Sequence, residues 1–307
     1  MENSFNSLND AKFIKQAISE PKDMNRLINI IAHRSNEQRQ EIFKTYSEHY
    51  NISIMEDFKL ELKGPFLKTA CALFYTPVDY DCYHLNKAFK GLTNDEDTII
   101  EILSTRSNNR IKEIKNRFPQ MYEGKSLDKV INSETSGFFC KILLKLLEGE
   151  RSNNTQPLEE DCQDCAKQLK EAEKNEKIRE EVYLKIFTEK SREEFELITR
   201  CYYNLYNKTL LETIEDLFSR YVKKIFKSLF YSLLNLGEYF AYRINEALNS
   251  FMLNDKVLIR VVVTQDIVDI KTIKQNYKQK FKKDLYKMIQ EKIKGDYRNI
   301  LVALIGK

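Results

Sequence analysis

Along this chain apolar residues recur three and four positions apart, the interval that keeps side chains on one face of an α-helix, and the same arrangement returns four times. Arg34, Arg106, Lys190 and Gln265 occupy equivalent anchor positions. Three and four residues before them lie the pairs Ile30 and Ile31, Ile102 and Leu103, Ile186 and Phe187, Val261 and Val262. Twelve and sixteen residues after them lie aromatic pairs: Tyr46 and Tyr50, Phe118 and Tyr122, Tyr202 and Tyr206, Tyr277 and Phe281. A further apolar pair spaced by four follows each time: Ile54 and Phe58, Leu127 and Ile131, Leu210 and Ile214, Leu285 and Ile289. In the second copy this pair sits one residue late, at an insertion near Glu123 and Gly124. Pairs with that spacing lie on one helical face, so each copy is predicted to hold several short amphipathic helices.

Glycine closes three copies at matched offsets, in KGPF (Gly64), SGFF (Gly137) and KGDY (Gly295), with Phe66, Phe139 and Tyr297 two residues on. A positive φ is expected there, and Arg220, which stands in the slot of the third copy, predicts an altered turn. The step from the second anchor to the third is the longest, and its excess falls in the polar segment 150–161, read as a connector. The boundaries that follow are a tail at 1–10, repeats at 11–75 and 76–149, the connector at 150–161, and repeats at 162–233 and 234–307.

Composition narrows the class. The 307 residues include only 8 glycines and 5 prolines, too few for the many tight turns of an all-β protein. A net charge of +4 over that length argues against a nucleic-acid binder and is compatible with an anionic surface. No segment matches a signal peptide or the ~20 apolar residues of a membrane span, so a cytoplasmic protein meeting membranes from outside is expected. Six cysteines suit a reducing compartment, and Cys162 and Cys165 read as ordinary surface or loop thiols, because no second pair follows to complete a zinc site. His33, His49 and His84 share no ligand spacing, and no nucleophile or phosphate-loop motif occurs, so no enzyme is predicted.

Four repeats of roughly 70 residues with a longer central connector resemble the annexin core. KGLTNDEDTIIEILSTRSN (90–108) is similar to the annexin signature, and RSNEQRQEI in the first copy is close to it. The resemblance implies an all-α fold of five helices per repeat, arranged as a curved disc whose convex loops meet the bilayer. It also implies calcium in the loop between the first two helices of a repeat, held by three main-chain carbonyls and by a carboxylate some forty residues later. Ca²⁺ takes six to eight hard oxygens, and positions left to water can pass to a lipid phosphate.

Carried onto this sequence, the motif places a calcium site in the second repeat, with the carbonyls of Phe89, Gly91 and Thr93 and the carboxylate of Glu134. Thr93 replaces the family's second glycine, which weakens the site, since a β-branched residue resists positive φ. The other copies depart further. The first keeps Glu61, but its loop AISEPKDM has no glycine and is about one residue shorter. The third has Leu217 in the acid slot, and the fourth has Lys292, whose ammonium could take the ion's place. Lys22, Lys174, Lys177 and Lys292, with an apolar tip at Phe251 and Met252, suggest side-chain adhesion to lipid without calcium. The expected function is calcium-assisted binding to anionic phospholipid, chiefly through repeat 2. The alternative is a calcium-independent scaffold with a cytoskeletal or other protein partner.

Overall fold

The computed structural model describes residues 5–91, 93–264 and 267–306, which form twenty α-helices and, among the described residues, no strand. The first repeat comprises α1 (Ser7–Ile18), α2 (Met24–His33), α3 (Asn36–Tyr50), α4 (Ile54–Glu61) and α5 (Gly64–Leu73). The second comprises α6 (Pro77–Phe89), α7 (Glu96–Thr105), α8 (Asn108–Met121), α9 (Leu127–Glu134) and α10 (Gly137–Glu148). The third comprises α11 (Glu159–Ala172), α12 (Glu176–Glu189), α13 (Arg192–Tyr206), α14 (Leu210–Leu217) and α15 (Arg220–Leu234). The fourth comprises α16 (Leu236–Asn249), α17 (Asp255–Val263), α18 (Ile270–Phe281), α19 (Leu285–Lys292) and α20 (Gly295–Ile305). Helix therefore begins at Ser7, inside the expected tail, and at Glu159, inside the expected connector.

The repeated residues recur because each performs the same local task. Arg34 pairs with Asp10 on α1 (2.7 Å), and Arg106 pairs with Asp81 on α6 (2.6 Å), the second pair fully buried. The serine that follows caps the third helix. Ser35, Ser107 and Ser191 accept the backbone N–H of Gln38, Arg110 and Glu194 at 3.2, 3.3 and 3.0 Å. That helix then ends on a left-handed residue: Asn51, Asn207 and Lys282 in three copies, Glu123 followed by Gly124 in the other. The four aromatic pairs pack with ring centroids 4.8, 4.9, 5.2 and 5.0 Å apart; the first ring of each pair is buried in the core and the second is half-buried against it. The fourth anchor, Gln265, lies outside the described residues.

Two expectations need correction. Gly64, Gly137 and Gly295 have φ of 62°, 62° and 65°, and Arg220 takes the same conformation at φ 48°, so the third turn is preserved. The exposed Arg220 bears the cost that a Cβ brings to the left-handed region. Cys162 and Cys165 lie on α11 and are buried rather than on the surface, and burial pushes the Cys162 thiol up to about 11. Cys165 occupies the place that Asp10 and Asp81 hold in the first two repeats, and Lys190 turns instead to Glu194 (3.0 Å). The connector is also fastened: Ser152 N–H donates to the Glu189 carbonyl (2.7 Å), and Arg151 donates to the carbonyls of Phe187 (2.6 Å) and Lys190 (2.7 Å).

Two compact units result, 1–80 with 240–307, and 81–239. In the first, α20 packs on α2 and α5, and α17 packs on α5, which joins repeat 4 to repeat 1. In the second, α15 packs on α7, and the Ser104 and Ser228 hydroxyls meet at 2.7 Å within that contact. Among the described residues no helix is long and apolar enough to cross a membrane.

Candidate functional site

Each repeat turns from its first helix to its second through a short loop, and the four loops are built differently. In repeat 2 the loop closes when Asp95 N–H donates to the Ala88 carbonyl (2.9 Å), and Asp95 then caps α7 through Thr98 N–H (3.2 Å). Repeat 4 closes across the same span, from Asn254 N–H to the Ala247 carbonyl (3.1 Å). Repeat 1 closes from Asp23 to Ala17 (2.9 Å), one residue shorter. Repeat 3 has lost the loop: Asn175 N–H reaches back only to the Ala172 carbonyl (3.3 Å), and α12 absorbs the freed residues, running to 14 where α7 has 10.

The repeat 2 loop contains the residues singled out from the sequence. Phe89 is buried at the end of α6, whereas Gly91 and Thr93 are exposed. A Cβ added to Gly91 would meet the Thr93 main-chain oxygen at 2.6 Å, so that carbonyl folds back over Gly91 in a space only glycine leaves open. Close approach, rather than positive φ, is what requires glycine here. The Asn94 side-chain amide donates to the main-chain carbonyl of Glu134 (2.7 Å), which ties the loop to the end of α9. Glu134 is exposed, and among the described residues its carboxylate forms no ion pair. No cluster of three or more His, Cys, Asp or Glu side chains suited to a metal occurs among the described residues. A cation held here would therefore rest mainly on main-chain oxygens, the hard donors that suit Ca²⁺.

In repeats 1 and 4 a lysine ammonium occupies the corresponding position. Lys22 Nζ lies 2.9 Å from the Glu61 carbonyl oxygen and 3.0 Å from its carboxylate, and this hydrogen bonding raises the Lys22 pKa. In repeat 4 the partners are exchanged: Lys292, from the end of α19, donates to the Leu248 carbonyl (2.9 Å) and to Asn249 Oδ1 (2.8 Å) in the loop. Repeat 3 retains no acid for the purpose, since Asp216 pairs with Lys208 (2.7 Å) and Glu215 with Lys227 (2.5 Å). These contacts revise the expected adhesive lysines. Lys22 and Lys292 are held by their own loops, and Lys174 pairs with Glu171 (2.8 Å). The asparagine that ties loop 2 to α9 was missed in the sequence, because its partner is a main-chain oxygen forty residues away.

The annexin family model matches this chain in four segments, 9–73, 80–146, 163–229 and 239–304. Over 306 residues the chain is 32% identical to annexin A7 of Homo sapiens, which covers 99% of this chain and 62% of that protein. The chain thus spans less than two thirds of annexin A7. Annexin A13 of Mus musculus is 33% identical over 280 residues, covering 91% of this chain and 88% of that one. Among solved structures, annexin III superposes with a TM-score of 0.94 at 30% identity, covering 99% of this chain and 95% of its own. Chicken annexin V does so with a TM-score of 0.91 at 27% identity, covering 99% and 97%. With five helices in every repeat and the family pattern matched in all four, this chain belongs to the annexins, a family known for calcium-dependent phospholipid binding.

Proposed function

We propose that this chain binds anionic phospholipid with the assistance of calcium held in the repeat 2 loop, by the carbonyls of Phe89, Gly91 and Thr93 and the carboxylate of Glu134. The observation that carries this reading is the Thr93 oxygen lying 2.6 Å from where a Gly91 Cβ would stand, in a loop tied to the end of α9 through Asn94 and Glu134. The donor set is all oxygen and carries one negative charge, so a bound Ca²⁺ would keep positive charge for a lipid phosphate. Lys22 and Lys292 neutralise the corresponding positions in repeats 1 and 4, which leaves repeat 2 as the loop suited to the ion.

The test is co-sedimentation with phosphatidylserine vesicles, with calcium and with chelator, on the wild type and Glu134→Ala. Calcium-dependent sedimentation that Glu134→Ala weakens about tenfold or more supports the reading. Equal sedimentation of the two proteins at every calcium concentration sinks it. A second reading, a calcium-independent scaffold that keeps the fold, is favoured by the same two lysines, because their ammonium groups make two loops rigid without metal.

A further inference from the structure

The most exposed large apolar side chains among the described residues are two neighbours, Phe251 and Met252, at 105% and 78% of full exposure. They form the tip of the repeat 4 loop, between α16 and α17. Leu253 beside them is only half-buried, and the flanking Ser250 and Asn254 are polar and bonded. Lys292 donates to the Leu248 carbonyl and Asn249 Oδ1 from beneath, and Asn254 N–H closes the loop on Ala247. The Ser250 hydroxyl lies 3.0 Å from the Ala247 carbonyl and 2.8 Å from that of Met252, pinning the turn that carries both side chains outward. Asn254 then caps α17 through Val257 N–H (3.3 Å). The Leu248 main-chain oxygen, in the place that the Phe89 carbonyl holds in repeat 2, is thus served by an ammonium built into the protein.

We propose that this loop is a calcium-independent lipid anchor, in which Lys292 replaces the metal and presets the loop while Phe251 and Met252 enter the acyl region of the bilayer. The inference rests on the membrane reading above, because the loop holds in repeat 4 the place that the Gly91 loop holds in repeat 2. Three features favour lipid over a protein groove as the occupant. The apolar surface is a convex point of two side chains rather than a face. It is flanked by the polar Asn249, Ser250 and Asn254, which can stay among headgroups. Phenylalanine and the flexible methionine both suit a fluid apolar layer. A wedge of this kind adds affinity that needs no calcium, whereas loop 2 adds affinity that does.

The chain has no tryptophan, so Phe251→Trp installs a single reporter. With phosphatidylserine/phosphatidylcholine vesicles in chelator, its emission is expected to shift to the blue and to be quenched by lipids brominated on the acyl chain. The double variant Phe251→Ser, Met252→Ser is expected to partition about tenfold or more weakly than the wild type in chelator, with an unchanged circular dichroism spectrum. Lys292→Met, in the Phe251→Trp background, is expected to reduce the shift by freeing the loop. The proposal is overturned if the emission of the Phe251→Trp protein stays unshifted in chelator, whether or not protein sediments, or if the serine variant partitions like the wild type. Adding Glu134→Ala separates the two sites. A calcium response unaffected by Glu134→Ala, with the indole reporter still inserting, rejects the repeat 2 reading and leaves this one standing.

Discussion

Replacing Gly91 with alanine tests the proposed calcium loop at its tightest point. The new Cβ would stand 2.6 Å from the Thr93 carbonyl oxygen, and ordinary contact begins near 3.4 Å. That oxygen belongs to the backbone and cannot rotate away as a side chain could. It must retreat by roughly 0.8 Å, whereas Ca–O distances tolerate only about 0.3 Å, from ~2.3 to ~2.6 Å. One carbonyl therefore leaves coordination range, and the calcium concentration for half-maximal vesicle binding should rise about tenfold or more, equivalent to roughly 1.4 kcal/mol or above. Global stability should change little, by less than about 1 kcal/mol, because Gly91 is exposed and the closing bond from Asp95 to Ala88 lies outside the clash. The assay is a calcium titration of vesicle co-sedimentation paired with thermal unfolding in chelator. An unchanged calcium midpoint in a folded Gly91→Ala protein would show that the Thr93 carbonyl is not a ligand, and the assignment of this loop would fall.

Asp81→Ala should destabilise the chain by about 3–5 kcal/mol, read by denaturant unfolding, because it leaves the Arg106 guanidinium buried without its carboxylate partner. A loss below about 1 kcal/mol would mean that the pair contributes no more than a surface bridge. Arg220→Gly should stabilise by about 0.5–1 kcal/mol by relieving the left-handed strain at φ 48°; destabilisation would mean that the arginine side chain outweighs it. Ellman's reagent at pH 8 should label Cys71 and Cys162 slowly in the native protein, since burial pushes both thiols up to about 11 and the thiolate is the reactive form. Rapid labelling that unfolding does not accelerate would contradict the burial of Cys162 and the partial burial of Cys71.

The sequence by itself determined the repeat, and for a local reason. Helical facing depends only on spacing along the chain, so the apolar pairs and the aromatic pairs were readable without coordinates. Gly64, Gly137 and Gly295 likewise marked a positive φ by residue type alone. Arg220 did not, because an arginine's own preference is against the conformation it adopts. The loops between the first and second helices were half legible. A shorter first loop and a lysine in the acid slot of the fourth could be read from the residues. Whether Lys292 points into its loop or out to solvent depends on how α19 is placed against the end of α16, which only the tertiary structure decides. The same holds for the Asn94 bond to the Glu134 carbonyl and for the Thr93 oxygen over Gly91. Main-chain oxygens belong to every residue alike, so residue type by itself does not say which carbonyl a side chain such as Asn94 or Lys292 meets; the path of the folded backbone decides it.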